Sequence, residues 1–135
     1  MMELELREIE SVDIQGVNNW LEQWKLNKLD EGMYPDTGLV LQDAFTKEGI
    51  YMGFVWCSNS KMAMIGFITR NPNYKNKLPK QTREKFIADL SSYSRGLGFT
   101  HVITWTDNKF LIDDFKNLGY TETSDKVSEL ITKFI

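Results

Sequence analysis

The chain has 135 residues, of which 41% are hydrophobic, 13% aromatic and 26% charged, the profile of one globular domain over 1–135 that can bury a core without staples. A single cysteine, Cys57, excludes an internal disulfide and points to a reducing, cytoplasmic setting. The 16 Lys+Arg and 19 Asp+Glu leave a net charge of −3, which argues against general nucleic-acid binding through phosphate neutralisation. Neither a membrane span nor a signal peptide is expected: the longest apolar run, Ile50 to Cys57, falls short of the roughly 20 residues a bilayer needs, and the opening Met1 to Leu6 has no basic-then-apolar order.

In chain order, Leu4, Leu6 and Ile9 among Glu3, Glu5, Arg7 and Glu8 approximate the alternation of a half-buried first strand. Ser11 or Asp13 then caps a helix in which Ile14, Val17, Trp20, Leu21 and Trp24 recur at helical spacing through about Leu29, before Gly32, Pro35, Asp36 and Gly38 stop it. Three β-rich segments follow, Leu39 to Phe45, Ile50 to Ser58 and Met62 to Arg70, with connections short enough for antiparallel hairpins. Asn71 to Gln81, with two prolines, three asparagines and three lysines, reads as an exposed loop. Thr82 is the expected cap of a helix carrying Phe86, Ile87, Leu90 and Tyr93, which Gly96 or Gly98 ends. His101 to Thr106 reads as a strand. Asp107 is the expected cap of a last helix with Leu111, Ile112, Phe115 and Leu118 buried and Gly119 at its end, and Tyr120 to Thr123 and Glu129 to Ile135 read as two closing strands.

This order implies an α/β (α+β) three-layer domain: a mixed, mostly antiparallel sheet with helices on both faces. The crossover through the Thr82 to Gly96 helix makes the fourth and fifth strands parallel neighbours. The sole histidine, His101, excludes multi-histidine metal sites and reads as solvated or structurally bonded, and no metal centre is expected. Cys57 reads as a buried, inert thiol, and Trp20, Trp24, Trp56 and Trp105 read chiefly as core.

The opening Leu6-Arg7-Glu8-Ile9 with Asp13, and the run from Asn108 through the apolar helix to Leu118-Gly119-Tyr120, resemble the GNAT superfamily of acetyl-CoA-dependent N-acetyltransferases, whose element order matches along the chain. The resemblance implies that the fourth and fifth strands splay and that the backbone of Phe67, Ile68 and Thr69 pairs with the pantetheine arm of acetyl-CoA. Asn108 would face the cofactor from the opposite wall, and Trp105 and Thr106 would line the mouth where a small-molecule or protein amine enters. The family's Arg/Gln-x-x-Gly-x-Gly/Ala pyrophosphate motif is missing, because no glycine lies between Thr69 and Ile87. Lys75, Lys77, Lys80 and Arg83 would meet the phosphates instead, as looser side-chain partners than a preorganised backbone nest.

Two catalytic positions of the family are also vacant. Phe115 stands where many members carry a tyrosine general acid, and Met62 to Thr69 contains no carboxylate to act as base. No catalytic residue is therefore assigned. The Pro35-Asp36 turn, the proline-bearing loop and the altered pyrophosphate motif are similar to small GNAT-like proteins of tailed phages. That likeness implies an alternative to catalysis: a phage protein using the fold to bind a phage or host protein, in virion assembly or in the host cytoplasm.

Overall fold

The computed structural model describes residues 3–124, 128 and 130–134. Its elements are β1 (Leu4–Glu8), α1 (Ser11–Gln23), β2 (Gly38–Asp43), β3 (Gly49–Cys57), β4 (Met62–Arg70), α2 (Lys80–Gly96), β5 (His101–Thr104) and α3 (Lys109–Asn117), with a 3-10 turn at Glu31–Met33. The strands form one sheet in sequence order, β1 to β4 antiparallel and β4–β5 parallel.

Period-2 alternation sorts the strand side chains into two layers. On one face Leu39, Leu41, Tyr51, Val55, Ala63 and Ile65 pack against Phe86, Ile87 and Leu90 of α2 and Phe115 of α3. On the other, Val40, Met52 and Phe54 pack against Val17, Trp20 and Leu21 of α1, together with Ile9 and Tyr34. The three-layer, mixed-sheet expectation holds, with helices on both faces.

The helix boundaries differ from the expected ones for identifiable reasons. Asp13 serves α1 from inside its first turn: Arg7 donates to both its oxygens, at 2.7 and 2.8 Å, and the Glu10 N–H donates to it at 2.8 Å, so Glu10 is the N-cap. The helix ends at Gln23, six residues before Leu29, because Lys25 adopts a left-handed φ of 59°. The N–H groups of Lys25 and Leu26 then close back on Glu22 and Leu21. Pro79, not Thr82, precedes α2, and the Thr82 N–H bonds the Pro79 carbonyl. Asn108, not Asp107, caps α3, its side chain accepting from the N–H groups of Phe110 and Leu111.

The strand expected at Tyr120 to Thr123 does not form. The Tyr120 N–H closes the end of α3 on the Phe115 carbonyl, its ring packs edge-on against Phe115 at 4.8 Å, and its hydroxyl meets Ser91 Oγ at 2.6 Å. These bonds tie it to the helices. Within the expected Glu129 to Ile135 strand, 130–134 carry no strand and leave Leu130, Ile131 and Phe134 exposed, while Glu129 and Ile135 lie outside the described residues. β5 also stops at Thr104, so Trp105 and Thr106 lie beyond it.

Candidate cofactor groove

β4 pairs with β5 over four positions only, from Met62↔His101 to Ile65↔Thr104. At the last of them the Thr104 hydroxyl donates to the Ile65 carbonyl at 2.8 Å, and β5 ends. β4 continues to Arg70, so from Gly66 onward its backbone has no strand partner on the β5 side among the described residues.

The other edge of β4 is irregular over the same stretch. Phe54 faces Gly66 and Met52 faces Thr69, which sets Phe67 and Ile68 together against Gly53, a bulge. Phe67 carries the extra turn at a left-handed φ of 53°. One added residue flips the alternation: Ala63 and Ile65 face α2, whereas Phe67 turns to the α1 layer, 5.7 Å from Tyr34 and 6.0 Å from Trp56 between ring centres. A Cβ at Gly53, opposite the bulge, would stand 2.5 Å from Leu90 Cδ1, so any larger residue there would displace the buried Leu90 side chain. The Phe67 carbonyl is met by the Thr69 hydroxyl at 2.9 Å.

The opposite wall is the stretch after β5. Trp105 is exposed, Thr106 Oγ1 accepts from the Asn108 N–H at 3.1 Å, and the Asn108 side-chain Oδ1 is committed to capping α3. The loop leaving β4 is pinned toward the β2–β3 end. Buried Asn71 donates to the Gly49 carbonyl at 2.7 Å, and the Tyr74 hydroxyl donates to Asp43 at 3.2 Å. Lys75 and Lys77 are exposed on this loop, and Lys80, the first residue of α2, pairs with Glu84 at 3.6 Å.

Arg83 is placed differently from the lysines. Its guanidinium is bound by both oxygens of fully buried Asp114 on α3 and lies 5.6 Å over the Phe110 ring, so one ion pair ties the two helices that flank this face. The hydrogen bonds that Arg83 donates to Asp114 raise its pKa further above its already high value.

Two residues at this end carry no signal in the sequence reading. Tyr51 and Arg70 stand directly opposite one another in the β3–β4 ladder. Burial raises the Tyr51 pKa, against the opposing influence of Arg70 and Arg83. A phenol inside an apolar strand is a weak hint, because core tyrosines have the same pattern.

Other expectations are settled more simply. Cys57 is exposed rather than buried, with Thr37 Oγ1 3.6 Å away, because it ends β3 where the sheet runs into the Ser58–Lys61 turn. Trp20 is core, but Trp24 is half-exposed and its Nε1 donates to the Arg70 carbonyl at 2.8 Å. His101 is exposed, its Nδ1 2.9 Å from Thr100 Oγ1. Two apolar-lined concavities, of about 280 and 120 Å³, lie between β1 and α2 and beside the N-terminus of α1, and neither includes a groove residue. No helix among the described residues is long and apolar enough to cross a membrane.

No protein-family model and no curated protein matches the chain. Its fold is similar to that of glucosamine-6-phosphate N-acetyltransferase from Arabidopsis thaliana, with a TM-score of 0.64 and 14% identity over 96% of this chain and 99% of that one. Ard1 from Thermoplasma volcanium gives 0.69 and 16% over 90% and 84%. N-acetylglutamate synthase from Neisseria gonorrhoeae, solved with coenzyme A and L-arginine, gives 0.69 and 15% over 93% and 29%. The chain has the GNAT fold. At these identities the likeness is one of architecture, and the parallel β4–β5 pair and the bulge give the GNAT frame its physical content here. Within it Phe115 is buried against Tyr120 and has no proton to donate, and β4 offers no carboxylate.

Proposed function

We propose that the β4–β5 groove binds acetyl-CoA and that the chain is an acyl-CoA-dependent N-acetyltransferase-like protein. The observation that carries this reading is the unpaired backbone of β4 beyond Ile65, since strand N–H and C=O groups left without a ladder suit an extended, amide-bearing guest. Phe67, Ile68 and Thr69 position the pantetheine arm, Asn108 approaches it from the α3 side, and Lys75, Lys77, Lys80 and Arg83 meet the phosphates. The CoA-bound state of a solved protein of the same fold supports the choice of guest.

The chemistry asks little of the chain beyond placement. An amine entering past Trp105 and Thr106 attacks the thioester carbonyl, the C–N bond forms, the C–S bond breaks, and the proton lost by the amine passes through water to the departing thiolate. Holding amine and thioester in line supplies a large part of such a barrier without a dedicated acid. Calorimetric titration and thermal melting with millimolar acetyl-CoA test the reading. Ligand at 100 times its Kd should stabilise the fold by about 2.7 kcal/mol, and the absence of both heat and a melting shift overturns it.

Buried Phe115 and the glycine-free loop favour a second reading, in which the fold is kept as a non-catalytic module for a phage or host protein, in the host cytoplasm or the virion. Turnover of acetyl-CoA with a broad panel of amines would contradict it. Recovery of a stoichiometric partner from phage-expressing cells supports it.

A further inference from the structure

The loop from β4 to α2 lacks glycines, yet the junction of β3, β4 and α2 gathers a different set of donors. Directly opposed residues of an antiparallel pair project from the same face, so Tyr51 and Arg70 leave the sheet together. That face carries α2, because Tyr51 stacks on Phe86 at 5.7 Å. Arg83 lies three residues before Phe86, on the same side of the helix, and Asp114 holds it there. Tyr51 also lies within electrostatic reach of Arg70, Arg83 and Asp114.

The Tyr51 side chain is more than nine-tenths buried, yet its hydroxyl has no hydrogen-bond partner among the described residues. Sealed-in side-chain polar atoms are all satisfied in this part of the molecule, so the Tyr51 oxygen must be open to solvent. The Arg70 side chain likewise makes no hydrogen bond or ion pair among the described residues, and it is exposed. A donor on a rigid, buried ring, opposite Arg70 in the ladder and stacked one helical turn from Arg83, suits an oxyanion.

We propose that the Tyr51 hydroxyl donates to a phosphate oxygen of the CoA diphosphate, flanked by Arg70 and Arg83, and that Asp114 is the positioning residue that keeps Arg83 in place. The inference rests on the acetyl-CoA reading and deepens it: side chains from β3, β4 and α2 do the work of the missing glycine nest. Burial keeps the phenol protonated and hence a donor across the neutral range.

Calorimetry with CoA and with pantetheine, which lacks the diphosphate, tests it. Tyr51→Phe keeps the ring and its stacking, and should weaken CoA binding about tenfold, as loss of a hydrogen bond to a charged group does, while pantetheine affinity stays unchanged. Arg70→Gln, at an exposed position that carries no folding burden, should weaken CoA about fivefold and flatten its salt dependence, again sparing pantetheine. Unchanged CoA affinity in both variants, or an equal loss for CoA and pantetheine, overturns the inference and leaves the acetyl-CoA reading standing. A wild-type chain that binds neither ligand overturns both.

Discussion

The two halves of β4 are built on opposite terms. From Ala63 to Ile65 the strand is paired on both sides, with Ala63 and Ile65 buried against α2. From Gly66 to Arg70 it is paired on one side only, kinked by a bulge and a left-handed Phe67, with Phe67 and Ile68 only partly buried. The first half takes its stability from burial. The second gives up a ladder to make room, and its geometry is held by what packs beneath it: Leu90 and Phe86 over Gly53 on one face, Tyr34 and Trp56 around Phe67 on the other.

If that division is right, the largest loss comes from the layer both halves rest on. Phe86 is 1% exposed and stacks on Tyr51, so Phe86→Ala should cost about 4 kcal/mol in denaturant unfolding. A loss near 1 kcal/mol would mean that α2 is not the common floor. Asp114→Ala comes next. It strips a buried partner from Arg83, which keeps some solvent contact, so a cost of about 3 kcal/mol is expected, at the low end for a broken buried pair. Asp114→Asn, measured in the same way, should recover part of it through the remaining hydrogen bonds.

The sequence made the paired half legible and the open half much less so. All three helices end in the same closing pattern, with the N–H groups after the last turn returning to earlier carbonyls. Where glycine takes the left-handed position, Gly98 after α2 and Gly119 after α3, the end can be read directly. Where Lys25 takes it, the apolar spacing runs on and the helix looks six residues longer than it is. The bulge is hidden for a related reason: Phe67 gives no sign that its backbone is left-handed, and Gly53 and Gly66 mark a close approach without saying which strand gains the residue. That β4 outruns β5 rests on where β5 stops, at Thr104, two residues before the expected end of that strand. Tyr51 and Arg70 become a pair through the β3–β4 register, which the bulge at Phe67 and Ile68 shifts and which cannot be counted along the chain.

A smaller effect separates the groove from the sheet's far edge. Burial works against ionisation of Asp13, but the bonds from Arg7 and from the Glu10 N–H outweigh it and hold the carboxyl below the usual range. A folded-state pKa below the unfolded one stabilises the native state above the ordinary Asp value, about 3.9, and that contribution fades as the pH falls through the depressed value. Asp13→Asn should therefore cost about 1 kcal/mol at pH 7. The two unfolding free energies should converge near pH 2, and a constant gap across the range would assign the loss to packing. CoA binding should be unaffected, because Arg7 and Asp13 serve β1 and α1 rather than β4.

The smallest expected change tests the point where the two halves meet. Thr104 Oγ1 on the Ile65 carbonyl is a bond across the last pair of the β4–β5 ladder, where β5 ends. Thr104→Val keeps the shape and removes that bond, at a cost of about 0.5 kcal/mol, since the freed carbonyl borders the open groove and can take water. The informative readout is local. In hydrogen exchange, the amides of Val102 to Thr104 and Ile65 should lose protection while those of β3 do not, and saturating acetyl-CoA should restore it by bridging the walls. Uniform loss across the sheet would instead mean that the bond supports the whole fold, and that the boundary between the closed and open halves of β4 lies elsewhere.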